Sequence, residues 1–173
     1  MKITYYAAMS TDGFIAREDG DVSFLDDLDI DFSETGAEEF FHSVDGLIMG
    51  RKTYDFVFDY GAWPYEDKPA WVCTSNSVRI LEGAKLSIAA SPLQIVAEAE
   101  AAGLKHLWFV GGGKLASWFV AEGLLTHVSV SQMPVTLESG IPLFSDHLLS
   151  SLPAKSRETE QKAGFKQLNL RLV

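Results

Sequence analysis

Two short stretches carry residue types that could hold a phosphate. Gly50-Arg51-Lys52-Thr53 lies between an apolar run, Leu47–Met49, and a segment with helical spacing. At the start of a helix the first backbone N–H groups lack partners, and the helix dipole favours an anion. Arg51 and Lys52 add positive charge there, and Thr53 adds a hydroxyl donor. Gly111-Gly112-Gly113-Lys114 follows a second apolar run, His106–Val110, in the same way. Three residues without a Cβ let a phosphate come close to the main chain. Neither stretch has the Walker A spacing, and neither is a G-x-G-x-x-G in a first strand–helix turn. Each alone is compatible with a plain turn or a solvated helix face. Together they suit a ligand with two separated phosphate groups. A dinucleotide fits, its pyrophosphate at one corner and a 2′-phosphate at the cations, which favours NADP over NAD. Thr74-Ser75-Asn76, at the end of a third apolar run, adds short polar donors.

These few cations stand on a strongly acidic chain. The 173 residues carry a net charge of -10, with 47% hydrophobic and 22% charged residues. That balance is ordinary for a globular protein, and the length suits one domain, 1–173, with a full core. A surface of this sign repels nucleic acid. No apolar run approaches the ~20 residues of a membrane span, and "MKITYYAAMS" alternates like a strand rather than a signal peptide. The expectation is a cytoplasmic protein with no membrane or nucleic-acid partner. Cys73 is the sole cysteine; in the strand-like run "PAWVCTS" it reads as a buried small hydrophobe rather than a nucleophile. His42, His106, His127 and His147 are scattered, so no metal is expected. The carboxylates between Arg17 and Asp31 lack EF-hand spacing and read as a solvated loop.

The elements that must position the two corners alternate strand and helix. Ile3–Met9, Leu47–Met49, Trp71–Thr74, Leu86–Ala89, His106–Val110 and Thr126–Pro134 read as strands. Residues 33–43 read as a helix capped by Asp31 or Ser33, with Ala37, Phe40 and Phe41 on one face. Lys52–Phe58 is a second helix. Ser91-Pro92 opens a third, with Leu93, Val96 and Ala97 as its stripe and Gly103 as its end. Lys114–Glu122 is a fourth, with Trp118 and Phe119 in the core. Phe165–Val173 alternates, with Leu168, Leu170 and Leu172 on one face, as an antiparallel strand at the end of the sheet does. The class is α/β, with a mostly parallel central sheet, an antiparallel C-terminal edge, and ligands beyond the carboxyl ends of the strands. In "DFVFDYGAWPY", Phe58 reads as core, and Trp63 and Tyr65 as a pocket lining or a dimer contact.

On these same residues the chain resembles the dihydrofolate reductase superfamily. It is most similar there to stand-alone proteins like the reductase domain of the bifunctional riboflavin-biosynthesis deaminase–reductase. "ITYYAAMSTDGFIA" resembles the first strand and the loop beside nicotinamide, "LIMGRKTYD" the phosphate-binding corner, and "CTSN" the strand end near the adenosine 2′-phosphate. "VGGGKLASWFV" resembles the glycine loop, and "LLTHVSVSQMPVTLESGIPLF" the strand and loop that follow it. The resemblance implies a dihydrofolate reductase-like three-layer sandwich, NADPH as cofactor and a homodimer. It implies that Gly50, Arg51, Lys52 and Thr53 hold phosphates and that Thr74, Ser75 and Asn76 flank the adenosine. Gly111, Gly112, Gly113, Lys114 and Leu115 would line the pyrophosphate, and Ala8 and Ile15 would touch nicotinamide.

The implied activity is an NADP-dependent oxidoreductase like 5-amino-6-(5-phosphoribosylamino)uracil reductase. A dihydrofolate or pterin reductase is one alternative, and a non-catalytic nucleotide-binding protein another. Dihydrofolate reductases carry a carboxylate early in the first helix, where this chain has Gly36 or Ala37. Riboflavin-pathway reductases often carry Glu where it has Gly111. Asp12, in the turn "STDG", is the candidate catalytic or substrate-contact residue. Glu38 and Glu39 rank behind it, because exposed helix carboxylates are ordinarily solvated.

Overall fold

The computed structural model describes residues 1–146, 149–162 and 164–173, apart from the side chains of Phe32 and Glu34, so His147 lies outside the described residues. Its centre is an eight-stranded sheet. With strands numbered in chain order, β1 (Lys2–Met9), β3 (Gly46–Gly50), β4 (Pro69–Cys73), β5 (Lys85–Ala89), β6 (His106–Gly111) and β7 (His127–Gln132) run parallel. β9 (Ser156–Gln161) and β10 (Lys166–Arg171) are antiparallel. The spatial order is β5-β4-β3-β6-β1-β7-β10-β9, and a separate antiparallel pair joins β2 (Phe14–Ala16) to β8 (Ile141–Pro142).

Alternation along the strands sends side chains to two helix layers. Ile3, Tyr5, Met9, Ile48, Leu107, Phe109, Val128 and Val130 pack on one face with Ile95 and Ala99 of α3 (Pro92–Ala101) and Ala116 and Phe119 of α4 (Gly113–Ala121). Leu47, Met49, Ala70 and Val72 pack on the other with Tyr54 of α2 (Arg51–Tyr60). Trp108 on that second face receives Phe40 and Phe41 of α1 (Ala37–Ser43), with ring centroids 5.7 and 6.4 Å away. Two helix layers around a sheet make the three-layer sandwich. Among the described residues no helix is long and apolar enough to cross a membrane.

Several local readings need correcting. The helix expected over 33–43 is broken: a 3₁₀ turn, Phe32–Thr35, ends at Gly36, whose φ of 73° no continuous helix permits, and α1 starts only at Ala37. Ala37 itself is exposed. Asp31 does cap the turn, accepting from the Ser33 N–H. Helix α3 buries Pro92, Ile95 and Ala99 rather than Leu93 and Ala97, and Leu93 is 57% exposed. Alanines and aliphatics around the whole helix allow more than one stripe, and the sheet beneath chooses. Ser91 caps it as expected. Trp118 faces outward and donates to the Glu122 carboxylate, while Phe119 alone enters the core. β10 lies one strand in from the sheet edge. The edge is β9, "SRETEQ", exposed throughout; its polarity hides it from pattern reading and suits an edge that must not pair with another chain.

The acidic segment is a series of turns built by its own carboxylates. Asp19 accepts from the Asp21 N–H, and Asp21 accepts from the main-chain N–H and hydroxyl of Ser23. Phe24 pins the segment to the body, 2% exposed.

At the amino ends of the parallel strands His106 and His127 make a pH-sensitive patch. Nδ1 of His106 lies 3.1 Å from the Ser43 carbonyl, which can only accept, so Nδ1 carries the proton and Nε2 accepts from the Thr4 hydroxyl at 2.9 Å. Burial, then the Lys2 charge, pushes the His106 pKa down, against the Ser43 contact and Asp45. Burial, Lys2 and Arg171 do the same to His127. The folded state therefore binds fewer protons than the unfolded chain below about pH 6.5. Stability is expected to be flat above that pH, to fall as pH drops through it, and to level off below the depressed folded values. Urea melts at pH 7.5 and 5.5 check this: the midpoint is lower at 5.5. Asp45, held down by the N–H groups of Lys105 and His106, contributes its loss only in a separate window below about pH 4.

Candidate functional site

The register of the sheet opens a slot at its carboxyl edge. β1 and β6 pair only from Lys2↔His106 to Tyr5↔Phe109. Beyond that β1 follows β7 as far as Met9↔Gln132, and β6 follows β3 as far as Met49↔Gly111. The two central strands part, with Tyr6–Met9 on one side and Val110–Gly111 on the other. Such a parting beyond the strand ends is where ligands enter open α/β sheets.

Both glycine corners meet on one wall of this slot. A Cβ on Gly112 would lie 3.4 Å from the Gly50 Cα, and one on Gly50 would lie 3.7 Å from the Gly111 carbonyl oxygen. Gly50 and Gly112 are the residues that precede α2 and α4, and neither helix has a side-chain cap, whereas α3 has Ser91. In α4 the first intrahelical acceptor pair is Ala116 N–H to Gly112 carbonyl, which leaves the N–H groups of Gly113, Lys114 and Leu115 without helical partners. Two uncapped helix starts in contact form one continuous wall, of a chemistry that suits an anion, rather than two separate corners.

The glycines also serve packing. A Cβ on Gly113 would sit 2.7 Å from the Pro142 carbonyl oxygen, so its missing side chain makes room for the chain, not for a ligand. A Cβ on Gly111 would meet the Thr53 hydroxyl at 3.2 Å. Leu115 is expected at the pyrophosphate; its side chain is buried in the core, with its Cβ beside Gly50 and Gly112, and its N–H lies in the first turn of α4. Lys52 and Lys114 are exposed beside it. Arg51 is already engaged: its Nε donates to both oxygens of Asp55 at 2.7 and 3.0 Å, and Nη1 donates to the Ser77 carbonyl at 3.2 Å. Thr74, half-buried, accepts from the Asn76 N–H, and Ser75 and Asn76 are exposed at the end of β4. Cys73, at the end of β4, is half-buried and its thiol pKa is raised by that burial.

The rim of the slot is the turn after β1. Ser10 is fully buried; its hydroxyl donates to Asp12 at 2.5 Å and accepts from the Phe14 N–H at 3.0 Å. Asp12 also accepts from the N–H groups of Leu137 and Glu138. Desolvation, the largest single effect, raises the Asp12 carboxyl, but the Ser10 hydroxyl and these N–H groups together outweigh it and hold the carboxyl below the usual range. Its place is that of a clasp between two loops, with both oxygens occupied. The segment after Gly140 ties the rim to the wall: Leu143 N–H donates to Gly13, and Ser145 N–H to Gly113. Ala8 and Ile15 are both half-buried, on β1 and β2. Glu38 and Glu39 are exposed on the first turn of α1.

Sequence reading missed a polar floor beside Ala8. Ser131, paired with Ala8, donates to Gln167; Gln167 donates to Ser129; Ser129 donates to Asn169. The signal was the matched alternation in "HVSVSQ" and "KQLNLR", whose polar residues share one face across β7 and β10. The layer between β1 and α1, by contrast, is closed by rings. Tyr6 stacks on Phe40 with centroids 4.3 Å apart and planes 13° apart, and its hydroxyl donates to the Thr35 carbonyl. Trp108 caps the Tyr6 carbonyl with its indole N–H. Trp63 and Tyr65 pack edge to face at 5.0 Å, and Tyr65 meets Trp108 at 5.5 Å, so this pair belongs to the second core. A cleft of about 570 Å³ lies across the sheet from α1, with Met9, Asp12, Phe14, Phe144, Leu168 and Leu170 among its lining.

Strand order and slot together define the dihydrofolate reductase-like α/β fold that the resemblance implied. The chain belongs to the RibD C-terminal domain family, whose profile matches residues 1–168. It is similar to the uncharacterised Bacillus subtilis (strain 168) protein YwjB, 30% identical over 169 residues, covering 97% of this chain and 96% of that one. A Shewanella sp. PV-4 protein with a provisional riboflavin-biosynthesis name superposes with a TM-score of 0.77 at 28% identity, over 99% of this chain and 98% of that one. The Thermotoga maritima diaminohydroxyphosphoribosylaminopyrimidine deaminase/5-amino-6-(5-phosphoribosylamino)uracil reductase gives the same TM-score at 15% identity, over 99% of this chain and 56% of that one; this likeness is one of fold.

Proposed function

We propose that the chain is an NADPH-dependent reductase acting on a riboflavin-pathway type of substrate, a phosphoribosylamino-pyrimidine. The observation that carries the proposal is the slot between β1 and β6, flanked by two uncapped helix starts in contact. Membership of the RibD C-terminal domain family supports the same reading. The donor set fits a dinucleotide phosphate: the N–H groups of Gly113, Lys114 and Leu115, which have no partner within the helix, the Thr53 hydroxyl, and exposed Lys52 and Lys114. Bound there, NADPH supplies a hydride for an imine or heteroaromatic carbon of the substrate. The chain's own work is to fix the ligands in line and exclude water. The Ser10–Asp12 clasp and the Leu143 and Ser145 bridges hold the rim and wall together, and the floor from Ser131 to Asn169 offers hydroxyl and amide groups to a polar ring.

The test is tryptophan fluorescence quenching by NADPH and NADH on wild type and Arg51→Ala. NADPH binds more tightly to wild type, and the substitution removes the preference by on the order of tenfold. Binding of neither cofactor would overturn the proposal. A second reading, a nucleotide-binding protein without turnover, is favoured by one fact: the Ser10 hydroxyl and the Leu137 and Glu138 N–H groups keep Asp12 ionised, which makes it a poor proton donor. NADPH held but not consumed with pyrimidine acceptors would establish it.

A further inference from the structure

The cleft across the sheet from α1 has a chemistry apart from that of the slot. On its face of the sheet α3 lies over β4 and β5, and α4 over β6. Leu168 and Leu170 of β10 line the cleft, with Met9, Phe14 and Phe144 beside them. At about 570 Å³ it has the size of a small-molecule site. The strand register decides which polar groups stand on this face. Arg157 is paired with Leu170 and Thr159 with Leu168, so both side chains share the apolar side. Glu158, paired with Asn169, alternates to the other side.

Arg157 is held in place at the cleft. Its Nη1 donates to the Leu149 carbonyl at 3.1 Å and its Nη2 to the Leu152 carbonyl. These bonds use only part of the guanidinium's fork of N–H donors, and the rest is left for a ligand. Among the described residues no carboxylate pairs with Arg157. Asp12 also lines the cleft, but its oxygens already accept from the Ser10 hydroxyl and the Leu137 and Glu138 N–H groups. A held cation without a counter-ion, beside rings and aliphatic chains, suits an anion carried on an apolar body. We propose that the cleft binds a small aryl carboxylate. The carboxylate takes the remaining N–H donors of Arg157 and the Thr159 hydroxyl, and the ring packs on Phe14, Phe144, Leu168 and Leu170.

The test is calorimetry on the full chain with 2-naphthoate as the probe and naphthalene-2-carboxamide as its neutral counterpart. Wild type binds the acid on the order of tenfold more tightly than the amide. Arg157→Gln, shown to be folded by circular dichroism, abolishes that difference and still binds the amide. Thr159→Val, on the exposed edge strand, weakens the acid severalfold and leaves the amide unchanged. An acid bound no more tightly than the amide by wild type overturns the proposal, and so does a preference that survives in Arg157→Gln. An unchanged affinity for the acid in Thr159→Val removes Thr159 from the site. The amide NMR spectrum of the wild type locates the probe without any variant, and decides the matter if Arg157→Gln fails to fold. Shifts at Phe14, Thr159 and Leu168 are expected; shifts confined to Gly50 and Gly112, or none at all, overturn the proposal. No dinucleotide enters these titrations, so their outcome stands apart from that of the reductase reading.

Discussion

Gly112→Ala is expected to weaken NADPH binding on the order of a hundredfold and to lower stability by about 1–3 kcal/mol. Two effects combine. Gly112 has φ 112° and ψ 91°, a conformation that side chains other than hydrogen rarely adopt. Its added Cβ would also lie 3.4 Å from the Gly50 Cα and 3.5 Å from the Gly50 nitrogen, and would push apart the two helix starts that form the wall. Gly123→Ala separates strain from site geometry. Gly123 also has a positive φ, 65°, but nothing lies within 4 Å of a Cβ there and it sits past the far end of α4. That variant should lose about 1 kcal/mol of stability with NADPH affinity unchanged. Urea melts and cofactor titrations on both variants measure the two quantities. Wild-type affinity in Gly112→Ala would remove the glycine contact from the account of the site.

The second large effect is expected at Tyr6. Its ring fills the layer between β1 and α1, stacked on Phe40 and edge-on to Trp108 at 6.4 Å. Tyr6→Ala leaves a gap between a strand and a helix that has no fully buried residue of its own. Loss of the half-buried ring and its aromatic partners is expected to cost about 2–4 kcal/mol. Tyr6→Phe keeps the stack and removes the hydroxyl with its bonds to the Thr35 carbonyl and to Ser131, for about 1 kcal/mol. Thermal or urea unfolding of both variants checks the order. The same ring bears on substrate class. By the resemblance a pterin would bind at the start of the first helix, where this chain has Gly36 and Ala37 in place of a carboxylate and where Tyr6 and Phe40 close the layer beside β1. Wild type is therefore expected to show no dihydrofolate-dependent NADPH oxidation, and measurable turnover of dihydrofolate would restore that alternative.

Much of this was legible in the chain itself, because its signals are local. Ser91-Pro92 announces a helix within four residues, since the cap and the missing proline N–H act on the adjacent turn. The apolar runs before Gly50 and Gly111 mark buried parallel strands, and the glycine and cation that follow mark helix starts that suit an anion. The order of strands and helices, and the α/β class, follow from such short-range chemistry. Where a local pattern was absent or ambiguous, reading failed: "SRETEQ" has no alternation and became the edge strand only by pairing with β10, and α3 offered several stripes.

Tertiary structure decided what depends on register between distant segments. It parted β1 from β6, brought Gly50 against Gly112, and turned two suspected phosphate corners into one wall. It assigned the space beside Gly113 to the Pro142 carbonyl and both oxygens of Asp12 to neighbouring donors. It placed Asp55 on Arg51, although both residue types were in plain view. A side chain's type limits the bonds it can form, but which bond it does form depends on the neighbours that folding delivers.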